Sequence, residues 1–300
     1  MKLSAVALLS GLLLGQSPAT QYVRTKTNDN AHCLHWAVNA GPRRSLGFVQ
    51  SATGDPTLGS GVFGAVSRSA QTWESQMQVC GSVDLVEASP HSASRTVGYA
   101  QGGANENLVL FRSQLCSAIV SPGDSCVAAG TCGNVHDCWD HDQSIVALTT
   151  TSYIVSTGEL VDADVEVNAA SATPTIVDSP VCTQGAISTS CVANDVQNAM
   201  THEFGHFLGL AHSPDPASTM YASEPLGELS KRVLDSGSKQ FICDVYPSGQ
   251  ASKDCISTPS STTPSTGCSS AGPIPWAPGV LLVLLTLARR RPAGTQRREA

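Results

Sequence analysis

The chain has 300 residues, of which 41% are hydrophobic and 14% charged, and without its two ends it is still long enough for one domain with a sizeable core. Its formal net charge is −7, and negative charge disfavours contact with phosphate backbones, so we expect no nucleic-acid partner. Without the two terminal segments described below, Lys plus Arg falls from 17 to 11 and Asp plus Glu from 24 to 23, leaving about −12. An excess of negative charge is compatible with bound structural calcium ions.

Residues 1–19 have the features of a secretory signal peptide. Lys2 precedes an apolar run, and the small residues Ser17 and Ala19 have the spacing that a signal peptidase requires. A buried N-terminal helix is the alternative. We expect an exported protein whose body spans residues 20–256.

The cysteines agree with export. Ten of the 11 lie in the body, an even number that would form five disulfides in an oxidising compartment. The connectivity cannot be derived from the sequence, but Cys182 with Cys191 and Cys243 with Cys255 would close short local loops.

The first half of the body predicts strands around one helix. Four segments have the composition or the apolar spacing of regular structure, in the order strand, helix, strand, strand: 33–40, 62–76, 83–89 and 107–113. The "GPRR" sequence after residue 40 predicts a break in the chain, and residues 121–143 predict an irregular loop.

Two further strands and a helix follow. Residues 144–154 are rich in β-branched residues, and residues 159–169 alternate with period two, which predicts a half-exposed strand with Asp162, Asp164 and Glu166 in solvent. A helix is predicted at 194–208, with N-cap candidates before it and Gly209 as its stop. Strands followed by helices indicate an α+β fold with a mixed sheet.

The sequence "HEFGHFLGLAH" lies at the end of that helix. His202 and His206 are four residues apart, so both rings lie on one face and can reach one ion. Glu203 is rotated by about 100° around the axis, beside the metal. Gly209 lets the chain turn, and His212 can then return as a third ligand. Three imidazoles with one open position are typical of a catalytic zinc ion.

A structural zinc site and an inactive relative are weaker interpretations of this motif. A structural zinc site usually closes its fourth position with cysteine, and Cys191 lies outside the helix. A relative that had lost its chemistry would be expected to lack the glutamate, but Glu203 is present.

The motif, together with the following "STM", resembles the metzincin clan of zinc endopeptidases. Met220 then corresponds to the methionine of the turn beneath the zinc, and Ser213 with Met220 eight residues past His212 resembles the matrixin family. Similar segments extend over 34–247. The resemblance implies a metzincin-like catalytic domain, with a mixed five-stranded sheet, an active-site helix and a C-terminal helix.

The resemblance also implies the reaction. Zinc would activate a water molecule, and Glu203 would act as the general base in hydrolysis of peptide bonds of extracellular proteins. The substrate would lie along an edge strand within 147–153, and a pocket beyond the scissile bond would be shaped by residues 220–231. The alternatives are a non-proteolytic zinc hydrolase acting on cell-wall amide bonds, and a catalytically silent zinc-containing surface binding module.

The chain departs from the matrixin pattern in several places. Few residues precede the first strand, so no inhibitory propeptide fits, and Cys33 is better assigned to a disulfide. Ala222 occupies the position of the tyrosine ligand of other metzincins. A second metal ion, either structural zinc or calcium, is a further hypothesis. The preferred alternative is a solvated acidic loop that binds no metal. The candidate ligands are His136, Asp137, Asp140, His141 and Asp142.

The C-terminal segments indicate a linker and a sorting or anchoring signal rather than part of the folded domain. Residues 257–272 are rich in Ser, Thr and Pro and predict an extended linker. Residues 273–300 contain an apolar run followed by arginines, and with Gly267 and Cys268 they resemble the sorting tails of exported myxobacterial proteins. The resemblance implies processing or lipid attachment at Cys268 and retention at the cell surface. The alternative is that the apolar run itself anchors the protein in the membrane. We expect a monomer that contacts the membrane only through this tail.

Overall fold

The computed structural model describes residues 22–255 and 297–299. The predicted signal peptide, the linker, the apolar tail and Cys268 lie outside the described residues. Among the residues that are described, no helix is both long and apolar enough to cross a membrane.

The described chain contains strands and helices in a mixed order. The strands are β1 (Val23–Arg24), β2 (His35–Trp36), β3 (Arg44–Gln50), β4 (Val83–Glu87), β5 (Leu108–Arg112), β6 (Ala147–Tyr153), β7 (Glu159–Asn168), β8 (Pro174–Thr175), β9 (Asn194–Asp195), β10 (Leu210–Ala211) and β11 (Arg297–Glu299). The helices are α1 (Gly61–Cys80), α2 (Cys116–Ile119), α3 (Ser125–Ala129), α4 (Cys132–His136), α5 (Val196–Phe207) and α6 (Ser236–Val245), with a 3-10 turn at Ser230–Arg232.

Five strands form the principal sheet, in the order β6-β7-β5-β3-β4. Strands β3, β4, β5 and β7 are parallel, and β6 is antiparallel to β7. Two short strands extend the sheet: β2 pairs with β7, and β11 pairs antiparallel with the outer edge of β6. The α+β class with a mixed five-stranded sheet is therefore confirmed.

The prediction of a strand at 33–40 was largely wrong. Only His35–Trp36 is a strand there, and the first long strand is β3 at Arg44–Gln50. Strand β3 begins at the last residue of "GPRR", and its first residues, Arg44 and Ser45, are exposed. Its signal in the sequence is weak because burial starts only at Leu46 and the exposed Gly47 interrupts it.

The core lies between the concave face of the sheet and the three long helices. Helix α1, predicted at 62–76, runs from Gly61 to Cys80 and buries Val62, Val66 and Trp73 as its spacing predicts. Helix α5 is buried along nearly its whole length. Three aromatic residues hold it by hydrogen bonds to its carbonyl oxygens: Trp73 to Thr201 (2.8 Å), Trp36 to Phe207 (2.8 Å) and Tyr246 to Leu208 (2.7 Å).

Two of these donors, Trp36 and Tyr246, satisfy carbonyls at the C-terminal end of α5, which a helix end would otherwise leave without partners. The other end of α5 is capped by Asp195, whose side chain accepts a hydrogen bond from Asn198 N at 2.8 Å. Both ends of the helix are therefore fixed to the rest of the domain by polar contacts.

The ten body cysteines form five disulfides, as their number predicts. They are Cys33–Cys255, Cys80–Cys243, Cys116–Cys138, Cys126–Cys132 and Cys182–Cys191. The predicted local pair of Cys243 with Cys255 is wrong, since Cys243 anchors α6 to α1 and Cys255 joins the other end of the domain. The pair Cys182–Cys191 and the assignment of Cys33 to a disulfide are confirmed.

The acidic face of β7 is buried, contrary to the prediction. Asp162, Asp164 and Glu166 are at most 3% exposed, because the segments around Gly98 and His141 cover this face. Asp164 accepts hydrogen bonds from Gly98 N (2.5 Å) and Leu108 N (2.8 Å). Burial raises the pKa of Asp162 to about 6, and burial together with Asp162 raises the pKa of Asp164.

Replacing Asp162 by Asn should stabilise the protein at high pH. Because the folded-state pKa is raised, the protonated carboxyl stabilises the fold fully below about pH 4, and this contribution is lost as the pH rises through about 6. We expect Asp162→Asn to raise the free energy of unfolding by about 1–2 kcal/mol at pH 8 and to have little effect at pH 4.

Urea unfolding at the two pH values measures this difference. The exposed Asp140 is the matched control, and Asp140→Asn should change neither value. An equal effect of Asp162→Asn at pH 4 and pH 8 would contradict the assignment.

Candidate metal centre

The structure brings the three motif histidines together. His206 Nε2 lies 3.1 Å from His202 Nε2 and 3.2 Å from His212 Nε2. His202 and His206 are buried, and His212 is partly exposed. Three imidazole nitrogens thus converge on one point at the surface end of α5.

Backbone geometry explains this convergence. His202 and His206 are one helical turn apart on α5. Gly209 has φ +105°, and a Cβ atom there would lie 2.4 Å from the carbonyl oxygen of Leu34, so only glycine fits this turn. The chain reverses at Gly209 and returns His212 to the other two rings through β10, as the motif predicts.

The hydrogen bonds of the rings determine which nitrogens face one another. His202 Nδ1 lies 2.8 Å from the carbonyl of Thr219, and His206 Nδ1 lies 2.8 Å from the carbonyl of Leu210. Because a carbonyl oxygen only accepts, each Nδ1 must carry the proton, and in a neutral ring Nε2 keeps its lone pair. Burial, and secondly the neighbouring His206, lower the pKa of His202 well below its usual value, so this ring is neutral at pH 7.

The lone pairs of His202 Nε2 and His206 Nε2 therefore face each other at 3.1 Å and cannot form a hydrogen bond with each other. A cation held by these two nitrogens and by His212 would remove this unfavourable contact, and neutral imidazoles are preferred ligands of zinc. The donor set, its spacing and the orienting carbonyls therefore fit a zinc ion held by His202, His206 and His212.

Glu203 lies beside this group. Its side chain is 3% exposed, and Oε2 accepts a hydrogen bond of 2.5 Å from Thr149 Oγ1 of β6. Thr149 Oγ1 also lies 3.2 Å from the carbonyl oxygen of Glu203. The carboxylate is thus oriented by the strand that packs against α5.

Met220 lies buried against α5. A Cβ atom at Gly205 of α5 would come within 2.2 Å of Met220 Sδ, so the methionine packs directly against the helix backbone. Ser213 N donates to Met220 O at 2.8 Å, which joins the turn to the segment that carries His212. The residues predicted from the motif therefore occupy one compact region.

Two residues that orient the site were not predicted. Thr219 presents its carbonyl to His202, and its own N–H donates to Asp235 Oδ1 at 3.1 Å. Asp235 also caps α6; burial raises its pKa, but hydrogen bonds from Ser238 and from backbone N–H groups lower it more, so the carboxylate is ionised. A backbone carbonyl leaves no mark in a sequence.

The acidic loop does not assemble a second site from the predicted residues. Asp137 forms ion pairs with Arg95 (2.8 Å) and Arg112 (2.7 Å), and His141 Nε2 lies 3.3 Å from Glu166 Oε2. His136 pairs with Asp124, next to the disulfide-bonded Cys126. Among the described residues these side chains contact separate partners and do not converge on one point. The loop is also less solvated than we predicted.

A cavity of about 310 Å³ adjoins the metal centre. Its walls include His202 and Glu203 of α5, the residues that lead into β6, and Glu224 and Lys231 beyond Met220. The segment 220–231, which the resemblance assigned to the pocket, does contribute to it.

Comparison with known families identifies the same region. The sequence model described as matrixin matches residues 66–246, about three fifths of the chain, from within α1 to the end of α6. No curated protein sequence matches this chain.

Removal of one ligand should abolish tight zinc binding. We expect His206→Ala to weaken zinc affinity by about 100-fold or more, because two imidazoles cannot complete the site. Competition with a chromogenic chelator measures the affinity, and circular dichroism checks the fold. His136→Ala, in the acidic loop, is the control and should retain one tightly bound zinc; loss of zinc from this control would contradict the assignment.

Proposed function

The chain belongs to the matrixin family of metallopeptidases, and on this premise we propose that it is a zinc-dependent endopeptidase of extracellular proteins with Glu203 as its general base. The observation that carries the proposal is the convergence of three Nε2 atoms, with neighbouring pairs 3.1 and 3.2 Å apart, beside a buried glutamate. This arrangement combines a zinc ligand set with a group that can move a proton.

Each residue has a separate part in the reaction. His202, His206 and His212 would hold the zinc. When bound, zinc supplies a Lewis acid that lowers the pKa of water and polarises a carbonyl. Glu203 accepts a proton from the attacking water and passes it to the leaving nitrogen, a role that requires a carboxylate fixed close to the reacting atoms. Thr149 fixes that carboxylate through its hydroxyl group.

The edge of β6 supports binding of an extended peptide. Residues 297–299 of the chain pair antiparallel with this edge, with Arg297 opposite Thr151 and Glu299 opposite Thr149. Main-chain pairing of this kind binds a peptide without regard to its side chains. A substrate that adds at the same place would pass beside Glu203, because Thr149 lies in the paired stretch of β6 and also binds the Glu203 carboxylate through its hydroxyl group.

The setting agrees with an exported enzyme. Five disulfides and the matrixin family indicate an extracellular protein. We further propose that the enzyme acts as a monomer on protein substrates and that the C-terminal tail, with Cys268, holds it at the cell surface.

Glu203→Gln should separate metal binding from catalysis. The amide keeps the shape of the side chain but cannot accept the proton, so we expect cleavage to fall by about 10³-fold or more while one zinc per molecule remains. The measurement is a panel of casein, gelatin and peptidoglycan, with and without a chelator. Wild-type hydrolysis of peptidoglycan alone would favour the cell-wall hydrolase, and undiminished cleavage by Glu203→Gln would refute the mechanism.

Thr149→Val tests the orienting hydroxyl. Thr149 does not touch the reacting atoms, so its loss should lower kcat by about tenfold and leave KM unchanged, because only the position of Glu203 is affected. Thr150→Val is the matched control, since its side chain projects from the opposite face of β6. Equal effects of the two substitutions on kcat would show that Thr149 has only a structural role.

A further inference from the structure

The cavity beside the metal centre has a polar lining that is unusual for a buried pocket. Its charged members are Glu203, Glu224 and Lys231. The remaining walls come from His202 and from small and aliphatic residues of α5, of the segment that leads into β6 and of the segment after Met220. Lys231 is only 3% exposed. A pocket in which a carboxyl group and an ammonium group are both buried selects strongly by hydrogen bonding.

Glu224 offers an acceptor that the described protein does not use. Its Oε1 atom is buried and forms no hydrogen bond with a described residue. Burial raises the pKa of Glu224 to about 8, against the opposing effects of Lys231 and Asn198. The carboxyl group is therefore largely protonated at pH 7, and its buried oxygen remains available to a ligand.

Lys231 is held in place with spare donor capacity. Its backbone N–H donates to Asn198 Oδ1 at 2.8 Å, and its Nζ donates to Ser223 O at 2.8 Å. Glu228 Oε2 lies 3.6 Å from Nζ and balances the charge. An ammonium group has three N–H donors, so the contacts that the described residues provide leave one donor over.

The chemistry of these two groups excludes most substrate side chains. An acidic side chain would enter beside the carboxylate of Glu203, and a basic one would meet the buried ammonium of Lys231. An aliphatic side chain would leave Glu224 Oε1 and the remaining donor of Lys231 desolvated without partners, which is unfavourable. A carboxamide donates through its N–H groups and accepts through its oxygen, so it can satisfy Glu224 and Lys231 together.

We propose that this cavity binds the carboxamide side chain of a glutamine or asparagine that flanks the scissile bond. The inference rests on the proposed peptidase function and adds its substrate preference. The match holds for either charge state of Glu224, because a protonated carboxyl pairs with a carboxamide through two hydrogen bonds and a carboxylate accepts from its N–H groups. Glu224 and Lys231 are then the residues that determine specificity.

A peptide library tests the proposal. The full chain loaded with zinc is incubated with synthetic peptides randomised at every position, and mass spectrometry identifies the residues on both sides of each cut. We expect glutamine and asparagine to be enriched over leucine by about tenfold or more at one flanking position. Glu224→Leu should lose this enrichment, and Glu224→Gln, which keeps the polar groups, should retain it.

The controls separate the outcomes. Glu159→Leu makes the same substitution outside the cavity, at the start of β7, and should give the wild-type profile. Cleavage by the wild type without enrichment of glutamine or asparagine would overturn the preference and leave the peptidase function standing, even if Glu224→Leu fails to fold. An unchanged profile in a folded Glu224→Leu variant would also overturn it. No cleavage by the wild type would overturn the proposed function and the preference with it.

Discussion

Two hydrogen bonds, from His202 Nδ1 to the carbonyl of Thr219 and from His206 Nδ1 to the carbonyl of Leu210, orient the rings on which the metal centre depends. They place unprotonated nitrogens 3.1 Å apart, an arrangement that is unfavourable without a cation between them. The surrounding fold maintains it: aromatic donors hold both α5 and its C-terminal end, and Asp235 holds Thr219.

The sheet contributes the other half of the site. Strand β6 packs against α5 on one face through Thr149 and presents its outer edge to a partner strand, so one element both orients Glu203 and can align a peptide. The disulfides Cys33–Cys255 and Cys80–Cys243 connect residues that are distant in sequence around this core. Such long closures restrict the unfolded chain and favour persistence of the fold outside the cell.

Local patterns predicted the parts of the structure that depend on local sequence. Periodicity, capping and spacing predicted helices α1 and α5, strands β4 to β7 and the grouping of the three motif histidines. Strand β3 was missed because its exposed first residues and Gly47 resemble a turn. The acidic face of β7 was placed in solvent because alternation shows which residues share a face but not what covers it. Disulfide partners and the roles of Thr149, Thr219 and Glu224 depend on contacts between distant segments, which one sequence does not specify.

The central claim is that the polypeptide itself arranges three imidazole Nε2 atoms around one zinc ion. Anomalous diffraction at the zinc absorption edge, from crystals of the metal-loaded protein, tests it most directly. We predict a single zinc peak at about 2.0–2.1 Å from Nε2 of His202, His206 and His212, with no zinc in the acidic loop. A zinc ion bound through Nδ1, held by fewer than three of these histidines, or closed off by Glu203 as a ligand would contradict the account.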